Sequence, residues 1–338
     1  MEARQVDGLP EGKGWQYEPK WDGFRCLAWR DGEEVELLGR SGKSLSRYFP
    51  EMIAALTRLK HERFLLDGEL VIPVGKSLSF EALQMRLHPA ASRIRRLAEE
   101  TPSLLIAFDF LEDEKGRDLR AEPLSARRAA LERFFATLGE ADALRLSPKT
   151  MRLAGARRWL SRAGGGALDG VVAKRLDEPY KPGERTMLKI KNLRTADCVV
   201  GGFRYATARK SGRKEVGSLL LGLYNEGGLL DHVGFTSALG SLDREVLTAK
   251  LERLKGNGFS GDAPGGPSRW STERTDEWVP LQPKLVVEVQ YDHVTGRRFR
   301  HGTGFLRWRP DKAPGDCSFD QLTQEARPSR MMRLLEQA

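Results

Sequence analysis

The stretch of sequence that decides the fold reads Glu18-Pro19-Lys20-Trp21-Asp22-Gly23-Phe24-Arg25. Its lysine ends an apolar segment that is typical of a β-strand, and another apolar segment begins directly after its glycine. A lysine attacks as a nucleophile only when it is neutral, which requires burial or nearby cations that lower its pKa from about 10.4. Taken alone, the stretch leaves two interpretations open, a catalytic lysine or an exposed surface lysine.

Short apolar segments alternate with helical patterns on both sides of this stretch. Strands are predicted over residues 15–20, 24–30, 35–39, 64–72, 104–111, 168–175 and 186–191. Helical patterns cover residues 49–59, 79–99, 125–138 and 151–162, with Ser125 as an N-cap and Gly164-Gly165-Gly166 ending the last one. An Asp31-Gly32 turn predicts a hairpin between the second and third strands. The mixture predicts an α+β domain with mixed or antiparallel sheets and helices.

After Thr195 the pattern changes to strands separated by glycine-rich turns. Five strands are predicted over residues 198–205, 217–224, 229–235, 285–291 and 304–309, with one helix over residues 242–255. This element count is that of an OB-fold β-barrel, although other small barrels would also fit. We therefore expect a first domain over residues 1–195 and an OB-fold domain over residues 196–338 that ends in a C-terminal helical tail. Residues 256–275 form a predicted surface loop.

Composition restricts the class of protein. The 338 residues fit two domains, and no apolar run approaches the ~20 residues that span a bilayer. The N-terminus has no secretion signal, so a cytoplasmic protein without membrane contacts is expected. The three cysteines are odd in number and far apart, which argues against a disulfide framework and paired zinc ligands. The net charge of +9 indicates attraction to nucleic acid or, as the alternative, a solvated arginine-rich surface.

Carboxylates and lysines recur on the predicted strands of the first domain. Asp67, Glu69 and Asp169 are oxygen donors of the kind that Mg²⁺ takes when it bridges phosphates. Lys189 and Lys191 are two apart on one strand, so both point to the same face. That face suits a pocket for phosphate, and the alternative is an edge strand that lysines keep soluble.

The motifs follow one another in an order that resembles a known family. They are Lys20-Trp21-Asp22-Gly23-Phe24-Arg25, Arg40-Ser41-Gly42, Asp67-Gly68-Glu69, Phe108-Asp109, Asp169-Gly170-Val171-Val172-Ala173-Lys174, Lys189-Ile190-Lys191 and Arg307-Trp308-Arg309-Pro310-Asp311-Lys312. This set resembles the covalent nucleotidyltransferases and, within them, the ATP-dependent DNA ligases. Residues 83–89 and 291–296 look more narrowly like the stand-alone bacterial ligase C group. The resemblance covers essentially the whole chain.

The resemblance implies a role for each matching residue. Lys20 attacks the α-phosphate of ATP and carries AMP as a covalent intermediate, while Glu18 and Phe108 bind adenine. Arg25 and Arg40 contact ribose or phosphate, including the 5′-phosphate of a nick. Lys174, Lys189 and Lys191 neutralise the α-phosphate, and Arg309 and Lys312 orient the leaving pyrophosphate. Glu69 takes part in ATP binding through the metal.

For the metal, the resemblance implies Mg²⁺ or Mn²⁺ held by Glu69 and Asp169. The wider family usually has glutamate where this chain has Asp169. Aspartate is one methylene shorter, so contact with the metal through a water molecule is expected at this position. Arg309 and Lys312 would act on the leaving pyrophosphate, which requires the second domain to close over the pocket.

The implied substrate is nicked double-stranded DNA, sealed by a monomer in DNA repair and associated with the bacterial nucleoid. Contacts with other bacterial DNA-repair proteins are left open. The basic barrel surface would hold DNA through phosphate contacts of Arg204, Arg209, Lys210, Arg213 and Lys214. The alternatives are an RNA capping guanylyltransferase, an RNA ligase or a non-catalytic OB-fold binding protein. An NAD-dependent ligase is disfavoured because its extra modules and zinc cysteines do not fit in 338 residues.

Overall fold

The structure, a computed structural model, describes residues 1–75, 77–139, 141–163, 168–206, 214–240, 242–265 and 277–322. The chain divides into two compact units between Asn192 and Leu193. The next strand begins at Arg194, so the expected boundary at Thr195 falls inside that strand. The predicted glycine stop at 164–166, residues 266–275 of the predicted loop and the predicted C-terminal helical tail lie outside the described residues.

The first unit combines two larger sheets, a short hairpin and five helices. Its strands are β1 (Ala3–Gln5), β2 (Trp15–Trp21), β3 (Phe24–Asp31), β4 (Glu34–Gly39), β5 (Arg63–Val71), β6 (Pro73–Val74), β7 (Ser77–Leu78), β8 (Leu104–Glu112), β9 (Leu144–Leu146), β10 (Leu168–Arg175) and β11 (Met187–Ile190). Its helices are α1 (Pro50–Thr57), α2 (Phe80–Met85), α3 (Ala91–Glu100), α4 (Leu124–Thr137) and α5 (Leu153–Ser161). The predicted α+β class is confirmed.

The two larger sheets have the strand orders β1-β11-β10-β2 and β4-β3-β5-β8-β9. Most neighbours are antiparallel, whereas β1–β11 and β8–β9 are parallel. The predicted hairpin is present as β3 and β4, with Gly32 in the turn at a φ of 62°. Glycine suits that position because it reaches positive φ without a steric penalty.

Alternation along the strands separates apolar core from polar pocket. On β2, Tyr17 and Trp21 are buried in apolar clusters, while the even-numbered residues 16, 18 and 20 share the other face. On β5, Phe64, Leu66 and Leu70 join the main core, and Asp67 and Glu69 point away from it. Because side chains alternate along a strand, each strand supplies both an apolar face for folding and a polar face for chemistry.

Two helix predictions need correction. The pattern over residues 79–99 was expected to be one amphipathic segment, but α2 and α3 are separate helices with Pro89 between them. Proline interrupts a helix because it lacks an N–H and disfavours a helical conformation in the residue before it. Ser125 is not an N-cap: α4 begins at Leu124, and the backbone N–H groups of Leu124 and Ser125 donate to Glu178 and Leu176.

The second unit contains all five predicted strands and the predicted helix. Its elements are β12 (Arg194–Tyr205), β13 (Val216–Tyr224), β14 (Leu230–Ala238), α6 (Arg244–Glu252), β15 (Val279–Pro280), β16 (Val286–Tyr291), β17 (Val294–Thr295), β18 (Arg298–Phe299) and β19 (Thr303–Trp308). The pairings run from β12 through β13, β14, β19 and β16 back to β12, so the sheet closes into a ring. This closure is what a small barrel requires.

The cysteines Cys26, Cys198 and Cys317 are free and buried. Burial raises the pKa of the Cys317 thiol to about 11, so this group is held as a neutral thiol at neutral pH. Within the described part of the chain, no helix has both the length and the apolar character needed to cross a bilayer.

Candidate active site

A cavity of about 210 Å³ lies between the two larger sheets of the first unit. Strands from both sheets line it, which explains why residues far apart in sequence meet there. The cavity collects eight of the predicted site residues, namely Glu18, Lys20, Arg25, Arg40, Glu69, Phe108, Lys174 and Lys189. They come from strands β2, β3, β5, β8, β10 and β11 and from the end of β4.

A β-bulge in β10 aims one further side chain toward this region. The register between β10 and β2 skips Asp169, because Leu168 pairs with Trp21 and Gly170 pairs with Lys20. A bulge leaves one residue unpaired and turns its side chain, and here it brings Asp169 to Lys20. Gly170 is required at this point: a Cβ atom there would lie 2.0 Å from the carbonyl oxygen of Ile190.

Asp169 binds two of the predicted lysines through one oxygen. Its Oδ2 accepts a hydrogen bond from Lys20 Nζ at 2.5 Å and lies 3.2 Å from Lys191 Nζ. Burial lowers the pKa of the nearby Lys189, and the charges of Lys191 and Lys20 lower it further. The carboxylate thus holds the amine of Lys20 at the cavity within a cluster of cations.

A buried ion pair between Glu18 and Lys174 lines another part of the cavity. Lys174 Nζ donates to Glu18 Oε2 at 2.8 Å, and Gln16 Nε2 donates to Glu18 Oε1 at 2.7 Å. The Lys174 ammonium also lies 4.6 Å from the centre of the Phe108 ring. A charge pair with this little exposure is stable only when hydrogen bonds satisfy it, as they do here.

Arg25 is held by a carboxylate beneath the cavity. It donates to both oxygens of Asp67, at 2.8 and 2.6 Å, and Tyr180 donates to the same carboxylate at 2.8 Å. Burial acts to raise the pKa of Asp67, but the charge and hydrogen bonds of Arg25 and Tyr180 outweigh it and lower the pKa. The Arg25 guanidinium lies 5.3 Å from the centre of the Phe108 ring. Asp67 is therefore engaged with Arg25 and Tyr180.

Glu69 differs from the other carboxylates of the cavity. It accepts a hydrogen bond from the backbone N–H of Gly23 at 3.2 Å, and burial raises its pKa to about 7. A buried carboxyl with a raised pKa is stabilised as the anion by a nearby cation, which fits the expected role as a ligand of Mg²⁺ or Mn²⁺. Among the described residues, no cluster of three or more metal-ligating side chains occurs, so phosphate oxygens and water would supply the remaining ligands.

The N-terminal strand adds a carboxylate that the sequence did not point to. Glu2 lines the cavity and accepts a hydrogen bond from the exposed Arg40 at 2.9 Å, with Arg185 3.6 Å away. Strand β1 brings Glu2 there by pairing with β11. The first residues have no apolar pattern that would indicate a strand. Strand β1 forms there because it pairs with β11, which is distant in sequence.

Arg309 and Lys312 lie in the second unit. Arg309 binds Asp197 with distances of 2.8 and 3.0 Å and also pairs with Asp311, while Lys312 Nζ lies 3.0 Å from Asp197 Oδ2. The hydrogen bond to Asp197 raises the pKa of Lys312. Of the predicted basic surface, Arg209, Lys210 and Arg213 lie outside the described residues.

Two family patterns match this sequence. The ATP dependent DNA ligase domain matches residues 5–191, and the ATP dependent DNA ligase C terminal region matches residues 212–312. The chain belongs to the ATP-dependent DNA ligase family. The first match contains the eight predicted residues that line the cavity, and the second contains Arg309 and Lys312, so the predicted resemblance is confirmed.

Similar ligases match the chain over nearly its full length. DNA ligase C2 of Mycolicibacterium smegmatis is 46% identical over 95% of this chain and 93% of its own length. DNA ligase C of Mycobacterium tuberculosis is 44% identical over 95% of this chain and 92% of its own length. A solved structure from a study of Lig E DNA ligases superposes with a TM-score of 0.55 at 16% identity, covering 91% of this chain and all of that one. The last match supports the fold alone.

Motif reasoning also missed three residues that contact predicted residues of this ligase, namely Gln16 and Tyr180 in the first unit and Asp197 in the second. Gln16 precedes Glu18 by two positions on β2, so the strand period alone could have placed both on one face. Tyr180 and Asp197 carry no such signal. Each acts through a partner more than 100 residues away in sequence, Asp67 for Tyr180 and Arg309 for Asp197.

Proposed function

We propose that this ligase seals nicks in duplex DNA with ATP, through a covalent AMP on Lys20. The observation that carries the proposal is the position of Lys20, which reaches the cavity beside Asp169 while Glu18, Lys174 and Phe108 line another part of it. A nucleophile, a cluster of cations, and an aromatic ring next to a carboxylate that can bind a base are the parts that nucleotidyl transfer requires.

In the first step the neutral amine of Lys20 attacks the α-phosphorus of ATP. A nitrogen–phosphorus bond forms, and the bond to the β-phosphate oxygen breaks, so pyrophosphate leaves. Lys189 and Lys191, together with Lys174, lie where they would balance the charge that develops on the phosphate. Arg309 and Lys312 would bind the leaving pyrophosphate.

Adenine is held by Glu18 and Phe108. The Glu18 carboxylate accepts from the 6-amino group of adenine, and the Phe108 ring stacks on the base. Lys174 holds the Glu18 carboxylate by the buried ion pair, which leaves its second lone pairs free to accept from the base. Arg25 and Arg40 bind ribose or phosphate through their planar forks.

Glu69 and Asp169 would hold Mg²⁺ or Mn²⁺, which when bound neutralises phosphate charge and polarises the phosphorus centre. Asp169 also orients the amine of Lys20 through the hydrogen bond described above. Glu69 stays fixed by the backbone N–H of Gly23 at the start of β3.

In the remaining steps AMP passes from Lys20 to the 5′-phosphate of the nick, and the adjacent 3′-hydroxyl displaces AMP. The positive net charge of +9 favours binding to DNA through phosphate contacts that carry little sequence information. We place the ligase in DNA repair at the bacterial nucleoid, acting as a monomer on nicked duplexes.

The decisive experiment is incubation with α-labelled ATP or GTP, followed by denaturing electrophoresis and then by addition of nicked DNA or nicked RNA. We expect label on the protein only with ATP, and transfer of that label to nicked DNA before sealing. Labelling with GTP would indicate a capping enzyme, and preferential sealing of nicked RNA would indicate an RNA ligase. If no protein is labelled with either nucleotide, the result would support the alternative of a non-catalytic nucleic-acid-binding protein.

A further inference from the structure

Gln16 is a fully buried amide on the cavity face of β2. Its side chain has no measurable exposure, and its Nε2 donates to Glu18 Oε1 at 2.7 Å. Tyr17, its neighbour on the strand, points into the apolar cluster on the other face. Gln16 therefore shares its face with Glu18 and Lys20, the residues that the chemistry requires.

The orientation of this amide is forced by its neighbours. Glu18 is ion-paired with Lys174, so its carboxylate accepts hydrogen bonds and cannot donate one. The amide must turn its nitrogen toward Glu18, which leaves Gln16 Oε1 buried with no hydrogen-bond partner in the described part of the chain. The unsatisfied carbonyl offsets part of the stability that the hydrogen bond to Glu18 contributes. What Gln16 gives the site without such an offset is a fixed direction for the Glu18 carboxylate.

The two oxygens of Glu18 are each held by a different strand. Gln16 on β2 binds Oε1, and Lys174 on β10 binds Oε2. The register brings these donors together, because Lys174 pairs with Gln16 and Val172 pairs with Glu18. Held at both ends, the carboxylate cannot rotate about its terminal torsion, which is otherwise soft. Each oxygen still has a second lone pair for a ligand.

We propose that Gln16 is a positioning residue that fixes the Glu18 carboxylate for the 6-amino group of adenine and so sets the preference for ATP over other purine nucleotides. The inference rests on the proposed function of Glu18. An amino group donates to the fixed carboxylate, whereas the 6-oxo group of guanine would bring an acceptor against it. Without Gln16, the carboxylate turns toward Lys174 and the distinction weakens.

The test compares ATP with purine riboside triphosphate, which lacks only the 6-amino group, in single-turnover self-adenylation. For Gln16→Leu, the apparent affinity for ATP should fall about tenfold, the scale of one hydrogen bond to a charged group. The rate at saturating ATP should stay within about twofold of wild type, because Lys20 and Asp169 are untouched. Purine riboside triphosphate should bind wild type and variant equally well.

Tyr17→Phe is the matched control. It removes a hydrogen bond of the same strand, from Tyr17 to the carbonyl of Pro10 at 2.6 Å, on the face that points away from the cavity. Its ratio of ATP to purine riboside triphosphate affinity should equal that of wild type. The melting temperature of Gln16→Leu should fall because Glu18 Oε1 loses its donor, and Gln16→Met provides the same affinity test if the leucine variant does not fold.

The outcomes separate this inference from the proposed function. An unchanged ATP affinity in Gln16→Leu, or equal losses for both nucleotides, overturns the role of Gln16. Wild type that does not distinguish the two nucleotides overturns the contact between Glu18 and adenine, and the inference with it, while Lys20 labelling and nick sealing would still stand. A loss confined to ATP in Gln16→Leu, absent from Tyr17→Phe, supports the inference.

Discussion

Each unit of this ligase holds two of its predicted catalytic cations on one aspartate, but the two arrangements differ. Asp169 binds Lys20 and Lys191, which come from different strands of one sheet. Asp197 binds Arg309 and Lys312, which lie three residues apart after the end of β19. Side chains held by a sheet keep their positions when a ligand binds. Arg309 and Lys312, which lie on a loop, must leave Asp197 before they can bind a phosphate.

The difference between the Asp169 and Asp197 arrangements shows which cations are held in position before a ligand binds. In the first unit, strand register and a bulge set the geometry of Asp169 before ATP binds. In the second unit, Asp197 holds both Arg309 and Lys312, and Arg309 also pairs with Asp311. Under the proposed function, the first arrangement would serve the chemical step, and the second would restrain residues that act on the leaving pyrophosphate.

The units also contrast in the ionisable groups that they bury. Burial raises the pKa of Glu69 to about 7 in the first unit and lowers the pKa of His232 to about 4 in the second. Both shifts favour the neutral form, because desolvation disfavours charge whatever its sign. A raised carboxyl pKa makes stability fall as pH rises through about 7, whereas a lowered histidine pKa makes it fall as the medium becomes acidic.

The largest effect is expected at Lys20. Lys20→Ala should abolish adenylation, since no nucleophile remains, and Lys20→Arg should be equally inactive because a guanidinium is not neutral at working pH. Binding of nicked DNA should stay nearly intact. Labelling with α-labelled ATP and a DNA-binding assay measure the two properties, and Lys60→Ala is the control, because Lys60 is an exposed lysine that does not line the cavity. Normal labelling of Lys20→Ala would refute the mechanism.

The next effect is the acid sensitivity of the second unit. Between pH 6.5 and about 4 the unfolded chain binds a proton at His232 that the folded unit resists, so stability present above pH 6.5 is lost as pH falls. His232→Phe should recover on the order of 2–3 kcal/mol at pH 4 relative to pH 8. Hydrogen exchange of peptides from β13 and β14 measures the stability of the second unit at each pH. His88→Phe in the first unit is the control. An equal pH dependence in His232→Phe and wild type would contradict the assignment.

A smaller effect is expected at Asp169. Asp169→Ala should slow single-turnover sealing of a pre-adenylated nick by more than ~10-fold, the lower end of outer-shell effects at metal sites. Asp169→Glu should keep much of the activity, because the longer side chain can reach the metal directly. A Mg²⁺ titration on this substrate isolates the metal from the chemistry of Lys20. An unchanged rate and Mg²⁺ dependence in Asp169→Ala would leave Asp169 as a partner of the lysines only.

Strand periodicity and motif order predicted most of the fold, and the exceptions have physical reasons. The five strands of the second unit were predictable because apolar residues and turn glycines mark them, and β10 has the predicted bounds. Strand β1 was not, because its residues are polar and its pairing with β11 is tertiary. The helix pattern over residues 79–99 hid a break at Pro89, since apolar periodicity continues on both sides of it.

The residues of the site likewise divide into those that could be predicted from the sequence and those that could not. The residues proposed to bind phosphate or the base could be identified by residue type and spacing, and eight of them line the cavity. Their partners could not be identified in this way, because Tyr180, Gln16 and Asp197 act through other side chains and any hydrogen-bonding residue could occupy those positions. A resemblance transfers the residues of a motif, but it does not transfer the surroundings that hold them.

The smallest effect, and the sharpest test of the comparison, is expected at Asp197. If Asp197 only restrains Arg309 and Lys312, then Asp197→Asn releases both cations and pyrophosphate binds them more easily. Partly exposed ion pairs are worth ~0.2–1 kcal/mol, so the pyrophosphate concentration for half-maximal reversal of the lysyl-adenylate should fall about threefold. Forward sealing should change less.

Asp311→Asn is the matched control, because Asp311 pairs with Arg309 alone and is the more exposed of the two carboxylates. It should lower the same pyrophosphate concentration by less than Asp197→Asn, and Arg309→Ala should raise it. The comparison fails if Asp197→Asn raises that concentration, since Asp197 would then position the two cations for pyrophosphate as Asp169 positions Lys20. In that case both aspartates would be parts of preorganised sites, and the loop after β19 would be as fixed as the sheet.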